Sequence, residues 1–243
     1  MFVSHLSLKD FRSYENLELS LKAGQNIFIG ENGEGKTNII EALMYLALLS
    51  SHRISSDQPL IKLDSERAYI RAKIESDERT TLVELEINNG KANRAKVNQN
   101  PVRSQKEILG LVKSVCFSPE DLDLVRGDPS ERRSFLDQLL IQQSPRLAGV
   151  ISDYERALKQ RNSLLKSRAP ESSLRSWSEH LATFGGELIA GRIKLINEIE
   201  PLFQIAYKNL SAKKLAKLGY KSSIPAPSSE KEVNKELMLK VIE

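Results

Sequence analysis

Cysteine is almost missing from this 243-residue chain, where Cys116 stands alone. One thiol excludes an internal disulfide framework and any multi-cysteine metal site. Histidine is nearly as scarce, and His5, His52 and His180 lie too far apart to show ligand spacing. No apolar run approaches the ~20 residues that a membrane span requires. The N-terminus, Met1-Phe2-Val3-Ser4-His5, lacks the basic start, apolar stretch and small-residue cleavage site of a signal peptide. These absences predict a soluble protein of a reducing compartment, the cytoplasm, without a membrane partner. With 40% hydrophobic and 28% charged residues, the chain can bury a core and is not disordered throughout. Its length corresponds to one large domain or one and a half, at about 150 residues per domain.

The charge is small, +4, but uneven. Residues 146–221 hold fourteen Lys/Arg against seven Asp/Glu, and the remainder is slightly acidic. A basic surplus confined to one segment points to a polyanion partner or to a solvated helical face.

Along the first third, apolar residues alternate with polar ones at 17–21, 68–75 and 83–87, the period of half-buried strands. Residues 2–8 offer a further strand. Asn89-Gly90 signals a hairpin turn before another strand near 94–98. Two short apolar runs, 27–29 and 114–117, also read as strands, which would bury Cys116 as a small apolar residue. Residues 37–49 have helical spacing with no Gly or Pro. Ser118-Pro119-Glu120-Asp121 and Asp128-Pro129-Ser130-Glu131 each open a helix. Helix then dominates from 146 to about 218, broken at Ala169-Pro170 and softened at Gly185-Gly186 and Pro201, with Tyr154, Trp177 and Phe184 in its core. A loop at 224–229 precedes an amphipathic stretch, 230–243. The expected organisation is a head at 1–140, a basic helical lobe at 141–220, and a loop with the start of a helix at 221–243.

One motif carries chemistry. Gly30-Glu31-Asn32-Gly33-Glu34-Gly35-Lys36-Thr37 fits G-x-x-x-x-G-K-[ST]. Its glycines let successive N–H groups converge on an anion, Lys36 adds a cation against the β/γ-phosphates, and Thr37 offers a hydroxyl to Mg²⁺. The following helix directs its positive end at the same point. The bare pattern arises by chance in roughly one chain of this size in a hundred, and an apolar run before it with a clean helix after it lowers that further. Nucleotide binding, with ATP and Mg²⁺ as cofactors, is the strongest expectation. The partners of other phosphate-loop chemistries are missing. Asn234-Lys235-Glu236-Leu237 lacks the Asp of a guanine reader, no apolar strand ends in a Walker B acid, and no Leu-Ser-Gly-Gly-Gln signature occurs.

Several stretches together resemble the RecF family within the SMC/Rad50-like ABC ATPases. They are Lys9-Asp10-Phe11-Arg12-Ser13-Tyr14 before the phosphate loop; Ser51-His52-Arg53-Ile54-Ser55-Ser56-Asp57 with Leu60-Ile61; residues 117–137, containing Arg132-Arg133; Tyr154 with Gln160-Arg161-Asn162-Ser163-Leu164-Leu165; and Trp177 with His180-Leu181-Ala182. The resemblance covers residues 1 to about 220. It implies an α/β fold, a P-loop ABC-type ATPase head (lobe I) with an inserted all-helical lobe (lobe II). It also implies an ATP-dependent DNA-binding protein of recombinational repair at replication gaps. Such a protein dimerises with ATP and works with RecR- and RecO-like mediators to load a recombinase at single-strand gaps. In this family the signature and Walker B motifs come late, so the resemblance implies an N-terminal portion. ATP turnover is then expected only in a full-length dimer, and no catalytic residue is assigned.

In the family pattern the position of Arg12 lies near nucleotide or DNA, and Arg53, in a polar loop after the phosphate-loop helix, is a candidate to reach phosphate or DNA backbone. Arg132 and Arg133 occupy the first turn of a helix, where the macrodipole disfavours cations, which makes them further candidates. Lys159, Arg161, Lys166, Arg168, Lys213, Lys214 and Lys217 are candidate contacts to DNA backbone, either duplex or junction. Glu120 and Asp121 read as ordinary helix-start acids. Two other readings stay open on these residues: a small-molecule P-loop kinase, and an inactive truncated fragment.

Overall fold

The computed structural model describes residues 1–243 except 52, 55, 78, 212–215, 223–232, 234 and 243. They form two compact units, Met1–Asp121 and Leu122–Glu243.

The first unit is built on a six-stranded antiparallel sheet. Its strands are β1 (Phe2–Phe11), β2 (Tyr14–Ser20), β3 (Arg67–Ser76), β4 (Arg79–Asn88), β5 (Arg94–Val97) and β6 (Asn100–Pro101), in the order β2-β1-β3-β4-β5-β6. Register follows the alternation in the sequence. Leu6 faces Leu19 and Ala72 on its two neighbours, and Leu8 faces Leu17 and Ile70. Ile70 in turn faces Leu85, and Leu85 faces Ala95. A one-residue slip would turn this whole apolar set to water, so the register is strongly specified. Helix α1 (Lys36–Leu48) adds Ile39, Ala42, Tyr45 and Leu46 to the same core. Each large side chain so buried contributes about 1.5–3 kcal/mol.

Two expected strands are absent. Residues 27–29 and 114–117 lie outside any strand, and their side chains alternate between core and water. Phe28 and Cys116 pack against the core, whereas Ile27 and Ile29 are 70% and 91% exposed and Val115 and Phe117 are 85% and 87% exposed. A short apolar run is a strand only when a neighbour supplies the hydrogen-bond ladder, and no described strand pairs with either segment. Cys116 is accordingly half-buried rather than buried.

The second unit is helical: α2 (Asp123–Arg126), α3 (Pro129–Gln143), α4 (Leu147–Lys166), α5 (Glu171–Leu210) and α6 (Lys235–Ile242). Leu136 and Leu140 of α3 share one core with Leu147 and Val150 of α4 and Leu188 and Leu195 of α5. That packing holds α3 whole within this unit, whereas the sequence-based boundary at 140/141 cuts through it. Arg192 on α5 makes a two-pronged pair with Asp137 on α3, Nε–Oδ1 2.8 Å and Nη2–Oδ2 2.7 Å. Tyr154 and Phe184 border the same core as expected. Trp177 does not. It is half-buried and lies 5.9 Å from the ring of His180, which stacks on Phe184.

Gly185-Gly186 is a contact point rather than a soft spot. A Cβ on Gly185 would lie 3.0 Å from Met238 Cε and 3.2 Å from Tyr154 Cε2, and one on Gly186 would lie 3.3 Å from Met238 Cγ. The two glycines let α6 seat Met238 against α5, in a cluster with Ala182. Helix α5 runs unbroken past them and past Pro201. The loop expected at 224–229 lies outside the described residues, and α6 accounts for the last part of the expected terminal helix. No helix among the described residues is long and apolar enough to cross a membrane.

Candidate functional site

The turn at 30–37 joins an exposed segment to α1. Gly33 and Gly35 have φ of +93° and +91°, left-handed values that only glycine adopts at no steric cost. Gly35 also lies under Ser13 and Tyr14, whose hydroxyl oxygens would be 2.9 and 2.8 Å from a Cβ there. Helix α1 starts at Lys36 with no side-chain cap and no acid in its first turn. Its first N–H groups and positive dipole end are therefore left for an anion.

Within the turn, Glu34 Oε2 accepts a hydrogen bond from the Glu31 N–H at 2.9 Å. Lys36 Nζ donates to the carbonyls of Gly30, at 2.8 Å, and Glu31. The donor set therefore fits an anionic group. Thr37, the candidate Mg²⁺ ligand, and Asn32 are exposed beside it. Tyr14 Oη reaches the Glu34 carbonyl at 3.4 Å. Burial and the Glu34 charge both push its hydroxyl above the usual tyrosine value.

Beneath the loop lies a polar centre that the sequence reading missed. The side chain of Glu41 on α1 is fully buried. Arg12 grips it with Nε–Oε2 2.9 Å and Nη2–Oε1 2.6 Å. Ser51 Oγ donates at 2.5 Å and Arg53 Nη1 at 3.3 Å. Burial pushes the Glu41 carboxyl up, but the hydrogen bonds from Arg12 and Ser51 and the charges of Arg12 and Arg53 prevail, leaving it below the ordinary glutamate value. Arg12 has φ of +54°, an uncommon conformation for a side-chain-bearing residue. Its N–H bond to the Leu60 carbonyl at 2.8 Å and the Nη1 bond to the Pro59 carbonyl at 2.9 Å hold it there. The signal in the sequence was a single acid inside the apolar run 39–49.

The candidate arginines thus divide. Arg12 and Arg53 converge on Glu41, and Arg53 also reaches Asn38 Oδ1 at 3.3 Å. Arg132 donates to the carbonyls of Leu124, at 3.2 Å, and Gly127, at 3.0 Å. It closes the end of α2, which explains a cation in the first turn of α3 without any ligand. Arg133 is exposed. Asp121 Oδ2 accepts from the Ser118 N–H and hydroxyl, ordinary helix-start chemistry.

Among the candidate DNA contacts, Lys159, Lys166, Arg168 and Lys217 are exposed. Arg161 is not free as expected. It is half-buried and donates to Ser178 Oγ at 3.0 Å and the Ile242 carbonyl at 2.9 Å, tying α4 to α5 and α6. Lys213 and Lys214, like His52, lie outside the described residues. Lys159, Asn162, Ser163 and Lys166 line a shallow groove along α4.

Beside the phosphate loop, Arg12, Ser13 and Asn38 form one wall of a cleft of about 560 Å³, faced by residues that include Lys62, Asp64 and Asn89. Asn38 Nδ2 donates to Ser13 Oγ at 3.0 Å within that lining.

The AAA domain family matches residues 5–238. The chain is 52% identical over 221 residues to DNA replication and repair protein RecF of Streptomyces avermitilis, covering 87% of this chain and 59% of that protein. It is 50% identical over 234 residues to the protein of the same name from Kineococcus radiotolerans, covering 93% and 60%. The chain therefore spans about 60% of the length of these curated relatives. Among solved structures, one described as the recombination mediator protein RecF-ATPrS in the RecFOR pathway superposes with a TM-score of 0.89 at 28% identity, over 99% of this chain and 65% of the other. A Pyrococcus furiosus Smc head domain superposes at 0.53 with 17% identity, over 94% and 69%, a likeness of fold. The architecture is that of an ABC-type ATPase head with α/β and helical parts.

Proposed function

The chain belongs to the RecF family within the AAA domain group, and we propose that it binds ATP on residues 30–37 and DNA on its helical unit. The observation that carries the nucleotide reading is the turn at 30–37, in which Gly33 and Gly35 take left-handed φ, Lys36 folds back over the turn and α1 begins with no side-chain cap. Gly30, Glu31, Asn32, Gly33, Glu34, Gly35, Lys36 and Thr37 form the phosphate cradle, and Thr37 contributes the hydroxyl for Mg²⁺, whose charge offsets that of the phosphates. The nucleoside end occupies the cleft bordered by Ser13 and Asn38. Arg12 and Arg53 support this site through Glu41 rather than by touching phosphate.

The relatives' names place such a protein in DNA replication and repair. In that setting this chain acts in recombinational repair. It dimerises with ATP on DNA and helps RecR- and RecO-like mediators load a recombinase at gaps. Titration calorimetry with Mg-ATP tests the nucleotide part. Absence of binding at millimolar ligand would end it.

The DNA part makes its own prediction. The exposed Lys159, Lys166, Arg168 and Lys217 contact phosphates without reading sequence. If about three to five phosphates are neutralised, log K against log salt has a slope near −3 to −4.5 on duplex DNA. Changing Lys159 and Lys166 together to Gln flattens that slope by about 1.8. Arg161→Gln lowers thermal stability and leaves the slope alone. A slope unmoved by the double change would return these lysines to plain solvated surface.

A further inference from the structure

The cations of the antiparallel sheet fall into two groups. On β3, Arg71 Nε lies 2.8 Å from Glu84 Oε1, and Arg67 Nη1 lies 3.5 Å from Glu86 Oε1. Both acids belong to β4, where the register sets Glu84 beside Lys96 of β5 and Glu86 beside Arg94. The acids turn to the arginines of β3, and Arg94 and Lys96 are left without a carboxylate. Residues 91–113 hold six Lys/Arg, namely Lys91, Arg94, Lys96, Arg103, Lys106 and Lys113, against one acid, Glu107. All six are exposed. No ion pair joins any of them among the described residues. Glu107 is committed to the backbone, where its Oε1 accepts from the Ser104 N–H at 3.1 Å.

Arg94 and Lys96 flank the buried Ala95, so both face water, about 6.7 Å apart along the strand. Lys96 pairs with Pro101 and Val97 with Asn100 of β6, and the Val102 N–H bonds the Ala95 carbonyl at 3.1 Å. That register carries Arg103 alongside Arg94. Like charges side by side across strands are destabilising, so stability does not account for the cluster. Protection of a sheet edge does not either. The edge strand is β6, two residues long and already carrying Pro101, whereas Arg94 and Lys96 lie one strand in. Other exposed side chains of the stretch are polar, among them Asn98, Gln99, Asn100 and Ser104, and no exposed large hydrophobic side chain falls within 91–113. Protein partners anchor on aromatic and aliphatic groups, whereas phosphate takes Arg, Lys, Asn, Gln and Ser together. We propose that this face of β5, with its flanking turns, binds the phosphate backbone of nucleic acid, as a contact surface of the first unit additional to the lysines of α4. This rests on the DNA reading above and extends it to the other unit.

The test measures binding to a duplex of arbitrary sequence across a salt series. Arg94→Gln with Lys96→Gln should flatten the slope of log K against log salt by about 1.8, two contacts at about 0.9 each. Lys22→Gln with Arg79→Gln removes the same charge from exposed positions elsewhere in the first unit and should leave the slope unmoved. Joined to Lys159→Gln and Lys166→Gln, the β5 pair should give a loss that is the sum of the two, since separate contacts add. A slope unmoved by the β5 pair would overturn the proposal. So would a slope moved equally by the β5 pair and the Lys22/Arg79 pair, which shows net charge alone at work. Polyglutamate that displaces the duplex from the unaltered chain but not from the β5 variant would assign the face to acidic protein and overturn it as well. Failure of the DNA reading itself looks different: the unaltered chain then binds no duplex, or binds it with no salt dependence, and both statements fall. Because the substituted side chains are exposed and unpaired, the variants should melt with the unaltered chain.

Discussion

Lys36→Ala lowers affinity for Mg-ATP by about two orders of magnitude or more while leaving the fold intact. The ammonium is the one cation bonded within the phosphate loop among the described residues. Truncating one partner of a close charge pair at a binding site costs about 2–5 kcal/mol, and 1.4 kcal/mol is tenfold. In the nucleotide-free loop, Lys36 bonds only to two carbonyls at a partly exposed turn, so its loss moves stability by about 0.5 kcal/mol or less. Calorimetry or a fluorescent analogue measures the first effect and thermal melting the second. Equal affinity in the variant and the parent would remove nucleotide binding from residues 30–37. Loss of binding together with a collapsed melting transition would mean that the lysine holds the turn.

Glu41→Ala destabilises the first unit by about 3 kcal/mol, the lower part of the range for removing one member of a buried ion pair. The lower part applies because Arg53 and, to a lesser degree, Arg12 can turn to water, their side chains being 40% and 17% exposed. For a unit of this size the melting point falls by about 10 °C. Glu41→Gln falls between, since an amide oxygen still accepts from Arg12. The effect also has a pH signature. A carboxyl held below its unfolded value contributes stability that is complete above that value, near 4.5, and is lost as pH falls through the lowered folded value. The gap between the parent and Glu41→Gln should therefore be constant around neutrality and close progressively on acidification below about pH 4. A gap that widens toward acid would mean that Glu41 is protonated in the folded protein.

Local pattern was legible in the sequence wherever the physics is local. Strands β3 and β4 follow from apolar residues two apart, because successive side chains in a strand alternate between faces. Helix α1 follows from Ile40, Leu43, Met44 and Ala47 at helical spacing, and the phosphate turn follows from glycines at positions that need a left-handed backbone. Each of these depends on neighbours within a few residues, so no distant partner is needed to specify it. The motifs at 9–14, 51–61 and 117–137 carried the family in the same way.

What the sequence by itself determined, then, was the glycine turn at 30–37, the order of most strands and helices, and the family. The tertiary structure decided which charges are free and which apolar runs are strands. Arg12 meets Glu41 across 29 positions, and Arg161 meets the Ile242 carbonyl across 81. A guanidinium looks equally available in any sequence until the carboxylate or helix end that claims it is brought within 3 Å. Residues 27–29 and 114–117 are apolar enough for strands, but a strand is a property of two chains of backbone, and no described neighbour pairs with them. Long-range pairing is set by packing, which no spacing within one segment records.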